Sequence, residues 1–352
     1  MSATGLPGAL RSVLMILGVL LATGSCEPSQ DRGGEGDADT DSDTDGDADT
    51  DSDSDTDADT DSDTDSDTDP PGSGCQALDI LFVIDDSGTM ESEQQMLVAG
   101  FEDFVTVLEG YETTASTQLD YRIGVTTTGV STHYSTDGVP GYITLEGRDG
   151  ELVAPGETSD PWIDGPGPDV SDMFGDIALV GTWGPAYEMP LLAMELALEE
   201  SDGGVNDGFL REDALFAVII ITDEDDCSRT DDYWAIPTEE HSCFEYPEEH
   251  NAMDLGLFKD ALDGAFGGEG RYVVAVVAGL EPPEGEAPCV YGEDGAAVAG
   301  RLASFVEDHV NENGAHGVIH DICEAQSLGN MASALEEAMS LIEVACDEFV
   351  IE

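Results

Sequence analysis

Residues 80–90 read Ile80-Leu81-Phe82-Val83-Ile84-Asp85-Asp86-Ser87-Gly88-Thr89-Met90. An unbroken apolar, β-branched run passes directly into a cluster of oxygen-bearing side chains. Such a run predicts a strand buried on both faces. Leu215–Ile221 (LFAVIII) and Tyr272–Ala278 (YVVAVVA) repeat the pattern, Tyr121–Thr127 (YRIGVTT) is a fourth strand, and Gly317–Ile322 (GVIHDI) is a weaker fifth. Helical periodicity lies between them. Ser92–Leu108 puts Met96, Leu97, Phe101, Phe104, Val105 and Leu108 on one face. Met189–Glu199, Asp254–Ala265, Ala296–Val310 and Met331–Ala345 follow. Alternating strands and helices predict a doubly wound, mostly parallel α/β sheet flanked by helices, Rossmann-like in class. Residues 129–176 are rich in Gly, Pro and Asp and read as a loop-rich insertion with a short hairpin.

In such a sheet, ligands bind beyond the carboxyl ends of the strands, where strand order reverses. The first strand ends in Asp85-Asp86-Ser87-Gly88-Thr89, and the Leu215–Ile221 strand in Thr222-Asp223-Glu224-Asp225-Asp226. Carboxylates and hydroxyls together suit a hard divalent cation. Other chemistries lack their residues. There is no G-x-G-x-x-G, G-x-S-x-G or H-E-x-x-H. Ser87 stands where a haloacid-dehalogenase-like phosphotransferase needs its second Asp. His316 and His320 are four apart without a nearby Cys or third His, so zinc is not indicated.

A hydrophobic strand followed by D-x-S-x-S/T resembles the von Willebrand factor type A domain (vWA) and its metal-ion-dependent adhesion site (MIDAS). The resemblance covers residues 78 to about 345. It implies a metal held by Asp85 through water and by the Ser87 and Thr89 hydroxyls, with Thr89 replacing the commoner Ser. It also implies a Thr on a second loop, taken as Thr182 in VGTWGPAYE, and an Asp after the fourth strand, taken as Asp223 in IIITDEDDCS. The cation expected is Mg²⁺, with Mn²⁺ or Ca²⁺ as alternatives. The open coordination position would take an acidic side chain of a partner protein. The wording of these segments is similar to a group of bacterial surface lipoproteins with this domain. No enzymatic activity is expected.

Seven cysteines are present. Residues 1–25 read as a lipoprotein-type signal peptide: Arg11, then the ten apolar residues Val13–Ala22, then Thr23-Gly24-Ser25-Cys26. The apolar run suits a leader and is too short to span a bilayer. Cys26 would carry the lipid, leaving six cysteines with 15 possible pairings. The vWA resemblance implies Cys75–Cys346, since that fold brings its chain ends together. Proximity in sequence suggests Cys227–Cys243 and Cys289–Cys323.

Residues 26–74 read as a disordered tether. Every odd position from Asp37 to Asp69 is Asp, and the even positions are Ala, Thr or Ser with one Gly. Such a segment cannot bury a core and its like charges extend it. At ~3.3 Å per residue it would reach about 110 Å. Asp41, Asp43, Asp45 and Gly46 match the opening of a calcium loop, yet Ser52 stands at the twelfth place where Glu is needed.

The chain of 352 residues has a formal net charge of −70, and 59 of its 79 acids fall on residues 75–352 against seven bases. Such a surface repels phosphate backbones, which excludes nucleic-acid partners. A hydrophobic content of 40% is ample for a core over residues 75–352. The acidity fits either adaptation to salt or an extracytoplasmic protein poor in Lys. The whole reads as a lipid-anchored bacterial envelope protein that presents a vWA-like domain for cation-dependent protein binding. Two other roles remain open: a structural or calcium-responsive envelope component, and an accessory subunit of a larger envelope complex. In these the metal only stabilises the fold.

Overall fold

The structure, a computed structural model, describes residues 74–350 except 114–115, 136–142, 157–159, 186, 232, 236–251 and 283–294. The leader, Cys26 and all but the last residue of the tether lie outside the described residues. In chain order the elements begin with β1 (Ala77–Ile84), α1 (Glu91–Gly110), β2 (Asp120–Thr127), β3 (Thr132–Ser135), β4 (Ile143–Leu145) and β5 (Ile163–Gly165). Next come α2 (Val170–Ala178), α3 (Pro190–Glu200), β6 (Leu215–Ile221), β7 (Tyr233–Ala235), α4 (Leu255–Phe266) and β8 (Tyr272–Ala278). The last are α5 (Gly300–Ser304), which runs into a π-helical turn at Phe305–Val310, then β9 (Gly317–Asp321), α6 (Ile322–Leu328) and α7 (Ala332–Glu348).

Six strands form one sheet in the order β5-β2-β1-β6-β8-β9. All neighbours are parallel except β5, which runs antiparallel to β2 at the edge. The order reverses at β1: the chain moves outward to β2, then returns to place β6 on the other side. The period of two along β1 divides the core. Leu78, Ile80, Phe82 and Ile84 face one cluster with residues of α1, α2 and α7. Leu81 and Val83 face the other, with residues of α3 and α4. Phe82 meets Phe101 of α1 and Phe174 of α2, whose two rings stack 3.5 Å apart. α1 also lies close to α7: a Cβ at Gly100 would come within 2.9 Å of the Ala332 amide nitrogen.

The five expected strands are present. The last ends one residue early, at Asp321, because that side chain accepts the Cys323 N–H and starts α6. The loop-rich insertion does hold the hairpin, β3 with β4, which β7 extends to three strands. It also holds β5 and most of α2, which the sequence reading did not separate. α2 has only nine residues, too few turns for its Val170, Phe174, Ile177, Ala178 stripe to stand out. The helix expected over 296–310 is a single short turn followed by the π-helical turn. His320 lies in β9 and pairs through Nδ1 with Glu337 at 3.0 Å.

Cys75 and Cys346 form a disulfide with Cα atoms 4.8 Å apart. Beside it the Gly74 N–H donates to the Phe349 carbonyl. Cys227 and Cys323 are disulfide-bonded as well. Positions 243 and 289, their expected partners, lie outside the described residues. Among the described residues no helix is long and apolar enough to cross a membrane.

The Cys75–Cys346 bridge spans 271 positions and so constrains the unfolded chain strongly. Replacing both cysteines by Ser should lower the unfolding free energy by about 2–5 kcal/mol. Denaturant unfolding under oxidising conditions checks this.

Candidate metal centre

β1 and β6 pair in register up to Ile84 and Ile221, so both loops leave the sheet side by side at the switch point. The Asp85 N–H still donates to the Ile221 carbonyl at 3.0 Å. Past this bond the backbones diverge and the polar side chains begin. Asp85 is fully buried. One of its oxygens accepts the Ser87 N–H at 2.7 Å, and the other accepts the Thr222 hydroxyl at 2.6 Å. One carboxylate thereby ties the loop after β1 to the loop after β6. The Ser87 and Thr89 hydroxyls lie 3.2 Å apart. Asp223 is buried across from them, with one carboxylate oxygen lacking any hydrogen-bond partner.

The loop carrying Thr182 lies against the same site. Gln94, buried in α1, donates from its amide to the Asp85 carbonyl at 2.9 Å and to the Gly181 carbonyl at 2.8 Å. Its oxygen accepts the Gly181 N–H. Two residues past Thr182, the Gly184 N–H donates to the Asp86 carbonyl at 2.8 Å. A Cβ there would come within 2.2 Å of the Asp86 carboxylate, so any larger residue would have to displace that side chain. Asp85, Ser87, Thr89 and Asp223 thus share one rim, with the Thr182 loop bound alongside.

The other acids of the Asp223 loop have structural work. Asp226 is fully buried and accepts from the Leu191 N–H, the Ser228 hydroxyl and the Arg301 guanidinium. Asp225 accepts the Arg301 and Leu302 N–H groups at the start of α5. Glu188, in the connection to α3, was not singled out in sequence. It is fully buried, accepts the Thr128 hydroxyl, and keeps one oxygen unpartnered. Its only local sign is a Glu immediately before the helix expected over Met189–Glu199. Thr222 and Gln94 were missed too, because each acts on a partner far along the chain.

Electrostatics set this end of the sheet apart. Burial raises Asp85, with its hydrogen bonds opposing the shift. Burial and then the Asp85 charge push Asp223 and Glu224 up to about 7. Burial, with Asp85 adding to it, moves Asp86 up to about 6. Burial and then the Asp85 charge hold Glu188 well above the usual carboxylate range. Five carboxyl groups are crowded in a desolvated space, which favours protons or a cation. The donor set fits a hard divalent cation: two buried carboxylates, two adjacent hydroxyls, and an orphaned Asp223 oxygen. No three His, Cys, Asp or Glu side chains converge on one metal position among the described residues. A cation here would therefore draw on the hydroxyls.

The fold and this rim define a doubly wound α/β protein with an oxygen-rich site at its topological switch point. No known family and no curated protein matches the sequence. Several solved structures are similar in fold. The pilus adhesin SpaC from Lactobacillus rhamnosus GG shares 15% identity over 77% of this chain and 32% of its own, with a TM-score of 0.38. This chain thus spans about a third of that adhesin. Manganese-loaded TRAP protein from Plasmodium vivax shares 13% over 75% of this chain and 74% of its own, TM-score 0.32. An aerotolerance-related membrane protein from Bacteroides fragilis shares 12% over 75% and 98%, TM-score 0.30.

The raised carboxyls predict an unusual pH profile for the cation-free protein. A folded-state pKa above the unfolded value means the folded state binds more protons between the two. Stability contributed by Asp223 is then present below about pH 4 and is lost as pH rises through about 7. In a chelator, denaturant unfolding should show stability falling from pH 5 to pH 8. Asp223→Asn should flatten that fall, and an unchanged slope in this variant would place the titration elsewhere.

Proposed function

We propose that residues 75–352 form a vWA-like binding module whose Asp85, Ser87, Thr89, Thr182 and Asp223 hold a divalent cation. Mg²⁺ is the first choice, with Mn²⁺ or Ca²⁺ as alternatives. When bound, the cation supplies a Lewis acid able to take a carboxylate from a partner protein. The observation that carries this reading is the unpartnered, buried Asp223 oxygen facing a second buried carboxylate and two hydroxyls. An unpaired buried carboxylate oxygen is costly, and a cation relieves it. The residues have separate tasks. Asp85 joins the two loops, Ser87 and Thr89 offer neutral oxygens, and Asp223 brings the charge with the fewest competing bonds. Neutral hydroxyl donors neutralise less of a cation's charge than carboxylates would, which leaves it electrophilic towards an incoming acid.

The role is binding, without catalysis. The leader, the Cys26 lipid site and the Asp-rich stretch support an exported module tethered to an envelope membrane, with adhesion as its function. A cation that only stabilises the fold is the competing reading, and partner binding separates the two.

Thermal unfolding of the chain titrated with Mg²⁺ and Ca²⁺ at fixed ionic strength tests the site. At 100 times its dissociation constant the cation should add about 2.7 kcal/mol to the wild type. Ser87→Ala and Asp223→Ala should remove most of that gain. Equal stabilisation of all three proteins would move the cation to other acidic loops and refute this assignment.

A further inference from the structure

The loop beside the candidate metal centre carries the most exposed large apolar side chain among the described residues. Trp183 is 97% exposed. Its exposure does not come from a slack loop. The backbone before it is held by both groups of the Gln94 amide at Gly181, and Gly181 adopts φ +92, which favours glycine. The backbone after it is held by the Gly184 N–H, which donates to the Asp86 carbonyl at 2.8 Å. With both sides pinned inward, Trp183 stands out into solvent next to Thr182. Leu179, at the end of α2, is 50% exposed. Both line a cleft of about 310 Å³ together with Val153, Val180, Asp86 and Arg148.

Arg148 is the second observation. Arg122, Arg211, Arg229, Lys259 and Arg301 each hold a carboxylate in an ion pair. Arg148 does not. Its guanidinium donates to the Glu151 and Leu152 carbonyls at 3.0 and 2.9 Å, which fix its position without an ion pair among the described residues, and its charge acts on the Asp86 carboxyl only through space. Arg271 shares that condition but lies at the start of β8, at the other end of the sheet, against the Phe349 ring. In a region with 59 acids, an arginine in no ion pair offsets the two acids, Asp86 and Glu146, that line the same cleft. It would attract what the rest of the surface repels.

We infer that Trp183, Leu179 and Arg148 form a docking surface continuous with the cation site. Its partner is a protein segment in which the cation-binding acid adjoins an aromatic or branched apolar side chain and a second acid. The apolar side chain covers Trp183 and Leu179, and the second acid pairs with Arg148. Exposed Trp and Arg are the residue types that concentrate binding energy at interface centres. A segment of acids alone would meet the surrounding carboxylates without compensation. The inference rests on the cation-dependent reading of the site, and the experiment keeps the two apart.

A random displayed-peptide library is selected on the immobilised full chain in Mg²⁺ and eluted with EDTA. Wild type, Trp183→Ser, Arg148→Gln and Asp223→Ala are run in parallel. The wild type should enrich peptides with an acid next to an aromatic or branched apolar residue and a second acid nearby. Trp183→Ser should bind the selected peptides about tenfold more weakly and lose the apolar preference. Arg148→Gln should lose the preference for the second acid, and Asp223→Ala should lose EDTA-sensitive enrichment altogether. Mg²⁺-dependent thermal stabilisation, measured on each variant, separates a lost docking surface from a lost cation site. Acids enriched without apolar neighbours, or a Trp183→Ser profile equal to the wild type, overturn this inference and leave the cation site standing. Enrichment that ignores EDTA overturns both.

Discussion

A buried carboxylate closes the end of the central strand, and the arrangement of this protein's polar edge follows from it. Asp85 comes immediately after a strand whose both faces are filled by side chains. It therefore has no route to water along the sheet. Its charge is held by the Ser87 N–H and the Thr222 hydroxyl, and those bonds fix the two loops that leave the switch point. Every other acid drawn to that edge then feels a negative neighbour. Asp86, Glu188, Asp223 and Glu224 are all raised by burial and by Asp85. The edge is consequently poised between two ways of removing charge stress, protonation and cation binding.

The sheet was legible because its central strands are buried on both faces. Leu215–Ile221 is wholly apolar, and Tyr272–Ala278 is too apart from the Tyr272 hydroxyl at its start. The elements that escaped are short or carry their signal elsewhere. β5 has three residues and is defined only by its pairing with β2. α6 begins because Asp321 caps it, inside a run that reads as strand. The candidate rim was visible in sequence only as oxygen-bearing side chains at strand ends, and the structure brings Asp85, Ser87, Thr89 and Asp223 together there. Gln94, Thr222 and Glu188 were not, since each acts on residues 60 to 137 positions away. Sequence spacing carries no trace of such contacts. Trp183 was visible as a letter next to Thr182, but its exposure depends on Gly181 and Gly184 being held by residues of α1 and the β1 loop.

The run Asp223-Glu224-Asp225-Asp226 shows how composition can mislead at this resolution of reading. As a string it is a solvated acidic loop. In the fold its four members have different surroundings. Asp225 and Asp226 turn away from the rim and fasten α5 and the start of α3, with Arg301 neutralising Asp226 in a buried pair. Breaking that pair from one side would strand the other charge, so the two residues act as a structural clamp. Among the described residues Asp223 and Glu224 pair with no cationic side chain, while Arg301 is committed to Asp226 behind them.

Strand direction then decides how the site is presented. β1 starts beside the Cys75–Cys346 bridge and ends at Asp85. Eight residues at ~3.3 Å each separate the two points by about 26 Å. The parallel neighbours of β1 share its direction, so the loops of the rim gather at one edge while the chain ends are fastened at the other. The entry point and the first acidic loop thus lie at opposite ends of a single central strand, so strand direction alone separates the fastened edge of the sheet from the acidic one.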